Sequence, residues 1–186
     1  MHGAKHIDPV PKVKIFLLNG SVMLLLVLLH CPGAVALRLY SPDLRQGGWF
    51  QPKQLFHGDG CTGLNQPPDL YWTDIPKGTR SLAITLFDPD AANGQGWWHW
   101  IAFNIPAVAQ HLASHPKALQ SAENDFGSQG YGGPCPPIGD APHHYLFTLF
   151  ALPLSPLPAF SDRNTLIQWL NQHALAKATL GGRYGR

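Results

Sequence analysis

A chain of 186 residues with 45% hydrophobic and 13% charged residues suits one domain with a sizeable core and a sparsely charged surface. Eighteen prolines and nineteen glycines work against long helices and favour strands, turns and loops, so a mainly β protein is expected. The formal net charge is +2, yet three of the basic residues (Lys5, Lys12, Lys14) fall in the first 36 positions; residues 37–186 carry ten Lys/Arg and ten Asp/Glu, with no basic stripe for nucleic acid.

Residues 1–36 read as a secretory signal. Lys12 and Lys14 precede the mostly apolar Ile15–Leu29, and Ala34-Val35-Ala36 offers small residues where a signal peptidase cuts, which places cleavage after Ala36. An apolar stretch interrupted by Asn19-Gly20-Ser21 is short for a membrane span, which needs roughly 20 residues. His30 ahead of Cys31 makes a poor lipidation box. Residues 37–186 then form one exported domain, periplasmic or secreted, with no stable membrane span. That domain keeps Cys61 and Cys135. Export favours one disulfide between them, worth about 4 kcal/mol in the chain-entropy account. Two unpaired buried thiols are the other option.

Leu37–Tyr40 alternates as a short strand before the turn Ser41-Pro42-Asp43, and a second strand is expected near Gln54–His57. Gly58–Pro68 is loop by composition, and Leu70-Tyr71-Trp72 is a short apolar run closed by turn residues. Ser81–Phe87 is apolar on both alternating faces, as a strand covered on two sides requires. Trp98–Ile105 alternates too, with His99 on the face of Ile101, Phe103 and Ile105, pointing inward. Val108–His115 is read as a short helix closed by Pro116. Glu123–Ala141 is a dense glycine- and proline-rich loop. It feeds the strand Tyr145–Leu152, where His143, Tyr145, Phe147 and Leu149 share a face and His144 lies opposite. Ser161 or Asp162 can cap a helix carrying Leu166, Ile167, Trp169 and Leu170, and Gly181-Gly182 ends it or a short segment after it.

Polar, titratable residues (Asp88, Asp90, His99) sit in the most aromatic stretch of the chain, beside Trp97-Trp98-His99-Trp100, and burying them needs compensation. A second such junction holds Cys135, Pro136, Pro137, His143 and Tyr145. A serine hydrolase would need a strained G-x-S-x-G elbow, which the chain lacks. A metal-dependent hydrolase could draw on His99, His143 and Asp88, but no H-x-x-x-H or H-E-x-x-H spacing occurs. An anion pocket needs only imidazole, Tyr hydroxyl and loop N–H donors, and fits the inventory best. Each of these residues has an ordinary structural role as an alternative: His99 and Tyr145 as core, Asp88 and Asp90 as turn residues.

DPDAANGQGWWHWIAFNIP followed by NDFGSQGYGGPCPPIGDAPHHYLFTLFAL resembles the phosphatidylethanolamine-binding protein (Raf kinase inhibitor-like) family in its exported bacterial branch. SPDLRQGGWF, CTGLNQPPDLYWTDIPKGTRSLAITLFDPDA and ALAKATLGGRYGR extend the resemblance over nearly all of residues 37–186. It implies an antiparallel β-sandwich, a large central sheet plus a smaller one, with short C-terminal helices. It also implies a small cavity for phosphate, phosphoryl head groups or other small anions. Asp88 matches the first Asp of the family's D-P-D-x-P, His99 the end of W-x-H, Pro137 the second proline of G-x-P-P, and His143 and Tyr145 the ends of H-x-Y. Ala92 replaces the usual proline of that first motif, and His144 stands where many members carry Arg. The exported branch also carries both Cys61 and Cys135, which strengthens the disulfide.

The expected function is non-catalytic binding of a small anionic or phosphoryl-bearing ligand, with no cofactor, by Asp88, Trp97, His99, Cys135, Pro137, His143 and Tyr145. His99, Tyr145 and N–H groups near Cys135–Pro137 would donate to the anion. A protein partner, whose activity the chain would modulate, or a homodimer is the further possibility the resemblance allows.

Overall fold

The computed structural model describes residues 36–114 and 119–186, so the expected signal segment lies outside the described residues as far as residue 35. In chain order the strands are β1 (Arg38–Tyr40), β2 (Gly48–Trp49), β3 (His57–Gly58), β4 (Cys61–Thr62), β5 (Leu70–Thr73), β6 (Ser81–Asp88), β7 (Trp97–Pro106), β8 (His111–Leu112), β9 (Gln120–Ser121), β10 (His143–Leu152) and β11 (Ala176–Tyr184). A single turn, α1 (Ala91–Gly94), joins β6 to β7, and one true helix, α2 (Arg163–His173), precedes β11.

The fold is mainly β, with several sheets and few helices. Strands β1-β5-β8 form a three-stranded sheet, β2-β11-β10-β6-β7-β9 a six-stranded one, and β3-β4 a hairpin. Pairing is antiparallel except between β2 and β11, which run parallel. The large sheet has a core on each face. On one side Leu82, Ile84, Leu86, Tyr145, Phe147 and Leu149 meet Leu39, Leu70, Trp72 and Leu112 of the small sheet. On the other side Ala83, Ile101, Phe150 and Leu152 meet Leu166 and Leu170 of α2. This double cover is why β6 reads as apolar on both alternating faces. Each such side chain contributes roughly 1.5–3 kcal/mol by leaving water. Helix α2 starts where expected, with the Asp162 carboxylate accepting from Thr165 N at 2.8 Å.

Several local expectations are corrected. The strand near Gln54–His57 is instead a 3-10 turn, Pro52–Gln54, before the two-residue β3. Within the supposed loop 58–68, Cys61–Thr62 pairs with His57–Gly58 as a hairpin. Val108–His115 is not a helix: residues 107–108 turn, and His111 and Leu112 pair with Tyr71 and Leu70, with His115 outside the described residues. Only one helix lies near the C-terminus, because Gly181-Gly182 breaks nothing and β11 runs through both. Gly182 is there for closeness: a Cβ would stand 2.5 Å from the Phe50 ring. Finally, β7 is not a simple alternation. Its register against β6 shifts twice, so that His99 and Trp100 together span the step between the Phe87↔Trp98 and Leu86↔Trp100 pairs. Trp100 and Ile105 join the small-sheet core, whereas Ile101 and Phe103 pack toward α2. His99 therefore does not share a face with Ile101 and Phe103, although it does point inward.

Candidate functional site: a cleft between two strand junctions

The end of β6 and the start of β10 meet at one end of the large sheet, and their polar residues face each other there. Asp88 is almost fully buried, with 2% of its surface exposed. Its Oδ1 accepts from Asp90 N at 2.8 Å and Ala91 N at 3.1 Å, which closes the turn after Pro89. Its Oδ2 accepts from His143 Nδ1 at 2.7 Å, so one carboxylate both shapes the turn and aims an imidazole. The other nitrogen of His143 lies 3.6 Å from Asp140 Oδ2.

The turn itself is strained. Ala92 and Asn93 adopt left-handed backbone angles, φ 50° and 56°, at about 1–2 kcal/mol per residue for a side chain with Cβ. A proline, held near φ −65°, could not occupy the Ala92 conformation. The departure from D-P-D-x-P thus accompanies a differently shaped turn.

His99, 3% exposed, places Nδ1 at 2.8 Å from the Gly132 carbonyl. A carbonyl only accepts, so Nδ1 carries the proton. Burial pushes the His99 pKa below its ordinary value, against the opposing pull of the Gly132 carbonyl and the Asp88 charge. His99 is a neutral imidazole whose free Nε2 is an acceptor, not the donor expected from the sequence. The Tyr145 hydroxyl and the Trp97 indole N–H are donors; both are buried, and among the described residues neither makes a hydrogen bond of good geometry, although the Asp88 carboxylate stands close to the Tyr145 hydroxyl. Burial, then the neighbouring Asp88 charge, drives the Tyr145 pKa up, which keeps its proton in place.

The opposite wall is the glycine-proline loop. It has almost no regular pairing, and side chains hold it instead. Asn124 donates to the carbonyls of His99 and Gly130 and accepts from Phe126 N and Ser128 N. Asn65 reaches across from the β4 side to Tyr131 O and Gly133 N. Gly133 is obligatory, because a Cβ there would collide with the Gln54 carbonyl. The Cys61–Cys135 disulfide forms as expected, with sulfurs 2.07 Å apart, and ties the β3-β4 hairpin to this wall. Arg186 adds a second tie, donating from Nε to Pro136 O at 2.6 Å and from its guanidinium to Gly60 O at 2.9 Å. The N–H donors expected near Cys135–Pro137 are few, because Pro136 and Pro137 carry none; further along the loop Gly139 N donates to Arg186 O, and Asp140 N lies 3.4 Å from Pro137 O.

These walls enclose a cleft of about 460 Å³, within the size of small-ligand sites. All seven residues singled out from the sequence (Asp88, Trp97, His99, Cys135, Pro137, His143, Tyr145) line it. Asp59, Asp90, Phe126 and Asp140 line it as well, and sequence reasoning passed over them or set them aside as turn and loop residues. Phe126 meets Trp97 and His99 edge-on, with ring centroids 5.6 and 5.3 Å apart. Asp90 is more than a turn residue: its Oδ2 accepts from His144 N at 2.6 Å and Nδ1 at 2.9 Å. An H-H motif shortly after Asp140, opposite a D-P-D, was the available signal for both pairs.

Residues 45–185 match the family model for phosphatidylethanolamine-binding protein. The chain belongs to the phosphatidylethanolamine-binding protein family. Among curated relatives, UPF0098 protein YbcL of Escherichia coli K12 is 38% identical over 158 residues, covering 79% of this chain and 86% of its own. Putative lipoprotein LppC of Mycobacterium tuberculosis H37Rv is 36% identical over 156 residues, covering 82% and 74%. The crystal structure of E. coli YbcL, described as a new member of the mammalian PEBP family, matches with a TM-score of 0.75 at 36% identity over 82% of this chain and 99% of that one. At 15% identity, a carboxypeptidase Y inhibitor in complex with its cognate proteinase shares the family fold, with a TM-score of 0.54. Among the described residues no helix is long and apolar enough to cross a membrane.

Proposed function

We propose that this chain is an exported, non-catalytic binding protein whose cleft holds a small phosphoryl-bearing anion. One observation carries the reading: the Tyr145 hydroxyl and the Trp97 indole N–H are buried in the cleft wall and, among the described residues, make no hydrogen bond of good geometry. Buried donors left unmet cost about 1–3 kcal/mol each, so such a pair calls for an acceptor from outside the chain. Oxygen atoms of a phosphoryl group supply it.

Turnover has little support in the side chains. Among the described residues neither Ser nor Thr lines the cleft, and Cys135 is bound in the disulfide. Asp88 is occupied by His143 and two amides. The metal-dependent hydrolase alternative lacks its donor set, since among the described residues no three His, Cys, Asp or Glu are grouped to hold an ion. Export is supported by the disulfide and by a relative bearing the name of a lipoprotein, and the two sheets enclosing one core support the sandwich arrangement.

The test is calorimetric titration of methyl phosphate into the wild type, Tyr145→Phe, Trp97→Phe and the double variant. Each single change removes one donor to a charged acceptor and should weaken binding about tenfold or more. Wild-type affinity in the double variant would remove the basis of the site.

A further inference from the structure

The cleft assigned above to a phosphoryl ligand is poor in positive charge. Asp59, Asp88, Asp90 and Asp140 line it, and among the described residues no Lys or Arg does. Arg186 lies close, but its bonds go to backbone carbonyls of Gly60, Pro136 and Asp59. A fully ionised phosphate dianion would meet the buried Asp88 carboxylate, with the more exposed Asp59, Asp90 and Asp140 around it, and like charges repel most where water is scarce.

The hydrogen-bonding pattern is equally specific. Two donors, the Tyr145 hydroxyl and the Trp97 indole, make no hydrogen bond of good geometry among the described residues. His99 supplies the opposite polarity. Its Nδ1–H is fixed on the Gly132 carbonyl and burial favours the neutral ring, so its remaining Nε2 is an acceptor. The wall therefore asks for a ligand that accepts at two atoms and donates at one.

We propose that the cleft selects the singly protonated form of a phosphate monoester, whose P–OH donates to His99 Nε2 while its anionic oxygens accept from Tyr145 and Trp97. The inference rests on the phosphoryl reading above and adds the protonation state and ester class to it. No proton is transferred. The hydroxyl stays on phosphorus and the imidazole stays neutral. A phosphodiester, such as an intact phospholipid head group, carries the same single charge but has no hydroxyl to offer. A dianionic monoester has lost its hydroxyl and gained a charge.

The groups facing the His99 ring fit this state. Tyr145 and Phe126 meet it edge-on at 5.2 and 5.3 Å between ring centroids. The charges that act on it are Asp88, held by His143, and Asp125, held by Arg163 and Trp98 N. Both acids are committed elsewhere, so neither provides the missing donor.

The experiment is calorimetric titration of the full chain from pH 6 to pH 8 with methyl phosphate and, separately, dimethyl phosphate. The second ionisation of a monoester lies near pH 6, so the affinity for methyl phosphate should fall by roughly 50-fold across that range. Dimethyl phosphate should bind more weakly at pH 6 and change by less than about threefold, because it does not titrate there. The phosphorus resonance of bound methyl phosphate at pH 8 should keep the shift of the monoanion. A pH-independent or rising affinity for methyl phosphate would overturn the proposal and leave the phosphoryl site standing. The diester falling in parallel would place the titration on the protein and overturn it too, as would a diester as tight as the monoester at pH 6. If neither ester binds at any pH, the phosphoryl reading itself fails along with it.

Discussion

Two aspartate–histidine pairs sit side by side at the mouth of the large sheet, two residues apart on one chain segment and one apart on the other. Asp88 and His143 meet at 2.7 Å with side chains 2% and 9% exposed; Asp90 and His144 meet at 2.9 Å with 43% and 66% exposed. Their geometry is nearly the same, and their surroundings are not. The inner pair is almost fully out of bulk solvent, so each partner depends on the other for compensation. The outer pair is bathed in solvent and screened. Distance alone does not rank such a pair. Burial does.

Breaking the inner pair should have the largest effect. Asp88→Ala removes the acceptor of the His143 ring and of two turn amides, at about 3 kcal/mol of stability or more, read as a lower urea midpoint with unchanged slope. The loss should depend little on salt, because both side chains are almost fully out of bulk solvent. The turn that follows the two aspartates offers an opposite, smaller change. Ala92→Gly should relieve the left-handed strain at φ 50° and raise stability by up to about 1 kcal/mol, partly offset by the greater freedom of glycine in the unfolded chain. Thermal unfolding would read the gain, and a lower Tm would show that Ala92 holds its conformation at no cost.

Acid separates the site along a different line. The His99 pKa is lowered in the fold, so the unfolded chain takes up a proton that the native ring refuses. The stability tied to neutral His99 is complete above its ordinary value of about 6.5 and is lost as pH falls through the depressed native value. His99→Gln should flatten that part of the urea midpoint against pH between pH 7 and pH 5.

How much of this was legible in the sequence depends on where period-two reasoning holds. In β10 it placed His143 and Tyr145 together on the face of Phe147 and Leu149, because that strand pairs in unbroken register on both sides. In β7 it failed, because a bulge spends two residues against one and no composition announces which two. His99 still turned inward, but among Tyr145, Phe126 and Gly132 rather than beside Ile101 and Phe103. The loop wall was visible as a loop and opaque as a surface. Its form depends on Asn124, Asn65, the disulfide and Arg186, contacts that span up to 127 residues of sequence. The glycines at 181 and 182 misled for a related reason: a glycine that lets two side chains approach looks, in sequence, like one that lets a chain turn.

The smallest effect is expected at the outer pair, and it tests the comparison most directly. Asp90→Asn keeps an oxygen for His144 N and removes only the charge, so it isolates the electrostatic part. Burial acts upward on the Asp90 carboxyl, but hydrogen bonds from the His144 backbone and ring, with the charges of His144 and His143, hold its pKa below the ordinary value. A carboxylate lowered in this way stabilises the fold above about pH 4, and the contribution disappears as pH falls through the native value. Asp90→Asn should therefore cost less than about 1 kcal/mol at neutral pH and low salt, shrink toward zero in strong salt, and vanish in acid. A loss as large and as salt-resistant as that of Asp88→Ala would mean that the outer pair is shielded by more than its exposure shows, and the distinction between the two pairs would collapse.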